Sequence, residues 1–438
     1  MGLLDFINSV LLGPGLTAAV FFSGIVMAAA LRPFRLLRPA RLRGIFSSRG
    51  DGEGLHPAKA LCVALAGTLG VGNIAGVASA ITLGGAGAVF WMWVSALFAM
   101  VIKYAETILA VGRRRRGSDR FHGGAFFYIS DLGTRASGAA AKLFALLCLA
   151  SSLTIGGSIQ TNAASACLES RFGLDTRLCA LIFGIGALAV ISGGLNRIAW
   201  FTSAAIPLMS AAYTIISLYI VLTNLSLLPG ILREIFEGAL GQRAFSGGIA
   251  GFLTSRALRL GVTRGIVSNE AGCGTAPIAH ASSDVSRPAV QGILGIAEVF
   301  IDTVVLCSLT AFVVLIARAR GAILPEDGMG AALTAFGEFL PFAGIFMSAA
   351  VTVFAFGTML CWFYYGSECL RFLTGRTQKL YAAVYCVSAV LGAFLPERLL
   401  WGLSDLTISA MTALNIFCVL MWLPWLKRET DSYLRPES

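Results

Sequence analysis

Apolar runs of about twenty residues recur from one end of this chain to the other, each near the length that crosses ~30 Å of hydrocarbon. A backbone in lipid must satisfy its own hydrogen bonds, so such runs are helices or strands of a closed barrel. The ~10-residue alternating segments of a barrel are not visible. Hydrophobic residues make up 57% of the 438 and charged residues only 13%, where a soluble domain has about a quarter charged. Mean hydropathy is +0.80. The expectation is an all-α integral membrane protein with about 11 transmembrane helices. They fall near 10–31, 58–83, 86–112, 140–167, 178–196, 198–224, 246–281, 289–317, 341–370, 378–396 and 402–426. The first run has neither a basic start nor a small-residue cleavage site, and reads as a retained helix.

The net charge of +10 does not indicate nucleic acid, because Arg and Lys collect in short loops between the runs. With the N-terminus outside and the C-terminus inside, about 22 Lys/Arg fall on the cytoplasmic side and about 7 on the other, the positive-inside bias. The ten cysteines lie almost all inside the runs and form no Cys-x-x-Cys pair, which points away from metal or redox chemistry. Leu228 to Gly248 is too polar to cross and reads as an amphipathic helix at the outer surface. Leu324 to Pro341 reads as another surface or re-entrant piece.

Two runs are unlike the rest. The second contains Gly67, Gly70, Gly72 and Gly76 around Asn73, although each glycine in a helix interior costs roughly 1 kcal/mol relative to alanine. The plain reading is Gly72-x-x-x-Gly76 as a close-packing surface between helices. The functional reading is a helix broken at mid-membrane, tolerable where the freed backbone groups line a cavity or bind something. Half-helix N-termini then attract a carboxylate and unwound carbonyls a cation. The seventh run, with Gly261, Gly265, Gly272, Gly274 and Pro277, is interrupted in the same way. It lies five runs later, so the two run in opposite directions, as in an inverted-repeat transporter with its site between the breaks.

The stretches GTLGVGNIAGVASAI, GGAGAVFWMW, KYAE, RGIVSNEAGCGTAPIAH, IDT and CWFYYGSEC, with Asp405 and Asn415 in the last run, resemble the alanine/glycine:cation symporters over nearly the whole chain. The resemblance implies a LeuT-type 5+5 inverted repeat preceded by one extra helix. Its parts would be residues 1–57 (extra helix and basic cytoplasmic loop), 58–224 (first repeat), 225–245 (extracellular amphipathic connection), 246–426 (second repeat) and 427–438 (cytoplasmic tail). It implies sodium-coupled uptake of alanine or glycine across a bacterial inner membrane, with no cofactor. By motif position, Gly70, Val71, Gly72 and Asn73 would meet the substrate, with Gln160 and Gly265 as further contacts and Trp362 capping a methyl-sized pocket. The carbonyls of Ala66 and Leu69, with Thr358 and Asn73, would hold the cation. Gly357 replaces the family's serine beside Thr358, which keeps a proton open as the alternative coupling ion. A channel or a membrane-embedded enzyme is the remoter alternative.

Several ionisable residues also fall within runs. Lys103 and Glu106 read as a structural ion pair, and Asp302 and Asp405 as partners of other spans. Glu270 reads either as a cap for freed amides or as a neighbour of the cation path. His122 and His280 sit at run edges, where solvated residues are expected.

Overall fold

The computed structural model describes residues 14–36, 54–117, 120–240, 256–376 and 379–434. Six of the expected spans are single helices long and apolar enough to cross a membrane: Gly87–Gly112, Ser137–Phe172, Gly194–Thr223, Pro288–Ala319, Ala343–Thr374 and Glu397–Met421. Shorter apolar helices, Gly15–Leu31, Thr176–Ile191 and Lys379–Gly392, stand in the places of the first, fifth and tenth. The two glycine-rich runs are both broken. The second divides into Pro57–Thr68 and Ala75–Gly84, with a bend of 64° at the break. The seventh divides into Arg256–Asn269 and Ala276–Ala281; residues 246–255 of that expected run lie outside the described residues.

Small residues explain how closely the spans pack. A Cβ at Gly261 would lie 2.3 Å from the Ala88 carbonyl oxygen, so only glycine lets the seventh span seat directly on the third. The outer amphipathic helix forms over Leu228–Leu240, with Ile231, Ile235 and Ala239 buried. Leu324 to Pro341 carries a helix, Gly328–Gly337, capped by Asp327 Oδ1 accepting from the Gly330 amide at 2.6 Å. It packs on the second half of the second span, where a Cβ at Gly328 would lie 2.0 Å from the Ala75 oxygen.

The segment expected to be a plain tail is folded as far as it is described. Leu423–Leu434 is a helix that buries Leu426 and Thr430, and Tyr104 of the third span donates to Thr430 Oγ1 at 3.1 Å. All ten cysteines are free, and nine of them are buried.

Candidate functional site

The break in the second span begins where Gly70 takes an extended conformation (φ −116°, ψ −158°) and a single tight turn, Val71–Asn73, precedes the next helix. The Gly70 amide donates to Thr68 O at 2.9 Å, leaving the Ala66 carbonyl without its helical donor. Thr358, on Ala343–Thr374, supplies that donor: its Oγ1 lies 2.8 Å from Ala66 O and 3.4 Å from Leu69 O. Gln160 Oε1 accepts from the Val71 amide at 3.4 Å, and its Nε2 donates to Ile155 O at 3.1 Å. Ile155 lies in a stretch of the fourth span, Ser152–Ser158, wound wider than an α-helix, a feature that often marks functional sites. A Cβ on Gly70 would lie 2.9 Å from Thr358 Oγ1 and 3.2 Å from Gln160 Oε1, so the approach of both side chains requires glycine there.

Asn73 points the other way. Its Nδ2 donates to Asp302 Oδ1 at 2.7 Å and Ser268 Oγ at 3.1 Å, while its Oδ1 is buried with no hydrogen-bond partner. Asp302 lies on a second widely wound stretch, Phe300–Cys307. It also accepts from Ser268 at 2.8 Å and Thr303 at 2.7 Å. Ser268 ends the first half of the seventh span, so one fully buried carboxylate joins the two breaks.

The break in the seventh span is held by other groups. Glu106, on the third span, accepts the Gly272 amide at 3.3 Å and the Gly274 amide at 3.2 Å. Asn415 donates to Glu106 at 2.9 Å and to Gly272 O at 2.8 Å, and Tyr128 donates to Asn415 Oδ1. Glu106 therefore performs the capping considered for Glu270. Glu270 sits in the left-handed region (φ 51°), a conformation that costs about 1–3 kcal/mol. Its carboxylate accepts from Thr275 at 2.7 Å and from Trp362 Nε1 at 2.9 Å. Lys103 is closer to Glu298 (3.5 Å) than to Glu106 (4.0 Å), so the expected pair is a triad.

The two histidines expected at solvated edges are buried, because acids reach them. His280 Nε2 lies 2.7 Å from Glu298 and His122 Nδ1 2.8 Å from Glu368.

The structure thus brings Ala66, Leu69, Gly70, Val71, Gln160 and Thr358 together, with Asn73 at the end of the same turn. Trp362 lies one helical turn beyond Thr358, and a Cβ on Gly156 would come within 2.3 Å of its Cβ and 2.8 Å of its ring. At Gly72 an added Cβ would only touch Ser268 Cα, at 3.9 Å. Gly265 is not brought to this group: an added Cβ would meet Ser95 Oγ at 2.5 Å, so its smallness serves packing against the third span. A cavity of about 320 Å³ reaches Val71 between Ile159, Asn162, Asp327 and Trp401. Reading Asp302 as a general partner of other spans understated it. An acid inside an apolar run is a functional candidate by default, but Asn73 and Ser268, which both donate to it, lie 195 residues apart.

The model of the sodium:alanine symporter family matches residues 2–438. An uncharacterized transporter of Haemophilus influenzae is 35% identical over 99% of this chain and 96% of its own length. The sodium/alanine symporter AgcS of Methanococcus maripaludis is 34% identical over 99% and 97%. The probable sodium/glutamine symporter GlnT of Bacillus subtilis is 32% identical over 84% and 76%. Among solved structures, MhsT in complex with L-phenylalanine superposes with a TM-score of 0.63 at 12% identity, covering 88% of this chain and 93% of that one. A Na+-coupled sialic acid symporter gives 0.60 at 16% identity, covering 94% and 86%. These two share the fold, which is LeuT-like. The chain belongs to the sodium:alanine symporter family, a family of transporters and not of enzymes.

Proposed function

We propose that this protein couples sodium entry to the uptake of a small neutral amino acid of the alanine or glycine type, by alternating access. The observation that carries the reading is the convergence of Thr358 Oγ1 on the Ala66 and Leu69 carbonyls at the break of the second span. Unwound carbonyls with a hydroxyl suit a small hard cation, and the following helix start suits a carboxylate. In this reading the cation takes Ala66 O, Leu69 O and Thr358 Oγ1, and the unpartnered Asn73 side-chain oxygen offers a cation ligand on the Asp302 side of the break. The substrate carboxylate meets the Gly70–Asn73 backbone, displacing the 3.4 Å bond between Val71 and Gln160, which then turns its amide to the substrate.

The names of the relatives favour an amino acid and include both alanine and glutamine. The small substrate is favoured by Trp362, buried against Gly156 and held by Glu270. Residues 58–224 and 246–426 act as two five-span units, each opened by its broken span. The arginine-rich loops face the cytoplasm of a bacterial cell, and the cavity at Val71 faces outside.

Radiolabelled alanine uptake into proteoliposomes tests this, with an inward sodium gradient and then a matched proton gradient. Sodium-driven accumulation supports the assignment and shows that Gly357 leaves a working cation site. Accumulation driven by protons alone moves the coupling to the proton, and accumulation under neither gradient overturns the substrate assignment.

A further inference from the structure

On the membrane face that carries the arginine-rich loops, a groove of about 670 Å³ opens between the ends of the fifth and ninth spans and the starts of the sixth and tenth. That volume is within the ~300–1,000 Å³ range of ligand sites. Its lining divides into two chemistries. Arg120, Arg371 and Lys379 line one part, and Leu188, Leu195 and Phe363 another. Leu188 is 45% exposed, so the apolar part is continuous with the surface that the spans present to lipid.

The basic part is only partly neutralised from within. Glu368 lies 3.2 Å from Arg120 and 4.0 Å from Arg371. The second of these distances is outside hydrogen-bond range. Arg371 donates from Nη1 to His122 at 3.3 Å, while its buried Nε has no hydrogen-bond partner. Lys379 is exposed. No transport step proposed above uses this groove, which lies at the helix ends and away from both breaks.

We infer that this groove is a site for one anionic phospholipid of the basic-side leaflet, its phosphate between Arg371 and Lys379 and an acyl chain along Leu188, Leu195 and Phe363. Basic pockets between spans at this membrane depth recognise anionic headgroups. A soluble anion would satisfy the cations but would leave the apolar part of the groove uncovered. A zwitterionic lipid would fill the groove but bring its own cation to the arginine.

Native mass spectrometry of the purified full chain in detergent, titrated with dioleoyl-phosphatidylglycerol or dioleoyl-phosphatidylcholine, tests this. Retention of the anionic lipid over the zwitterionic one is expected, with one lipid per chain saturating first. Arg371→Gln with Lys379→Gln should lower that retention about 25-fold, at about fivefold for each surface cation removed, and leave phosphatidylcholine unchanged. Because Arg371 neighbours the buried Glu368, Lys379→Gln alone serves as the variant certain to fold, with an expected loss of about fivefold. Equal retention of both lipids, or wild-type retention of phosphatidylglycerol by Lys379→Gln and the double variant, overturns the proposal. Full displacement of phosphatidylglycerol by equimolar glycerol 3-phosphate also overturns it, since the groove would then hold a phosphate and not a lipid.

Discussion

Thr358→Val is the sharpest test of the cation site, because valine keeps the shape of threonine and removes only the hydroxyl. Two carbonyls lose a neighbour. Ala66 O loses its 2.8 Å donor, and its helical donor is already diverted, since the Gly70 amide bonds Thr68 O. Leaving that acceptor unsatisfied costs about 1–3 kcal/mol of stability without ligands. The loss with sodium is a different quantity. The ion forfeits one of three close oxygens, and a polar contact to a charge is worth about 1.5–3 kcal/mol. The sodium concentration for half-maximal alanine binding should therefore rise about 10- to 100-fold. By reciprocity, alanine affinity at a fixed low sodium concentration falls, while saturating sodium restores much of it. Thr358→Ser keeps the hydroxyl and should stay within about threefold of the parent. Sodium-titrated binding of radiolabelled alanine to the purified protein reads all of this. Unchanged sodium dependence in Thr358→Val, with the variant folded, refutes the site.

Asn73→Ala should abolish sodium-dependent uptake in proteoliposomes while the protein still elutes as a folded species, since it removes the orphaned oxygen and the 2.7 Å donor to Asp302. Undiminished uptake would remove Asn73 from the site. Glu106→Leu would strand two amides and the Asn415 side-chain donor in the bilayer interior, a loss of roughly 3 kcal/mol or more. Glu106→Gln keeps one acceptor and should lose less, so the two melting temperatures in detergent should fall in that order. Gly357→Ser, which restores the family's hydroxyl, should lower the melting temperature, because its Cβ would lie 2.6 Å from Ile206 Cδ1. Ile206→Val in the same chain should recover most of the loss, and if it does not, the strain lies elsewhere.

Hydropathy and loop charge make the span order legible in the sequence, and glycine density marks both breaks. Sequence pattern works there because each signal is local: a run is apolar or not, and a helix with four glycines and an amide in one stretch is weak wherever it lies. The cation group at Ala66, Leu69 and Thr358 came from motif resemblance and not from local pattern, as did Gln160. What the pattern could not supply was the pairing of buried acids. Glu106 and Glu270 each stand in an apolar run, and nothing in either neighbourhood says which reaches the freed amides. The answer depends on where the third span crosses the seventh. The histidines misled for the same reason, since a run edge in sequence is not an edge in space once Glu298 and Glu368 lie opposite.

The two breaks are bonded very differently, and this difference separates scaffold from site. Around the seventh span's break, Asn415 donates at 2.8 and 2.9 Å, Thr275 and Trp362 hold Glu270 at 2.7 and 2.9 Å, and two amides share one carboxylate. Opening that arrangement would expose several buried charge-assisted bonds, each worth about 1.5–3 kcal/mol. Around the second span's break, the Val71 amide reaches Gln160 at 3.4 Å and Thr358 reaches Leu69 O at the same distance, the weak limit of a hydrogen bond. Groups held that loosely exchange partners at little cost, whereas tightly satisfied groups do not. A transported ion and substrate must bind and leave within one cycle. Their exchange points are the two long bonds at Leu69 and Val71, between the shorter ones that hold Ala66 O at 2.8 Å and Asn73 at 2.7 Å, with the seventh span's break as the firm wall.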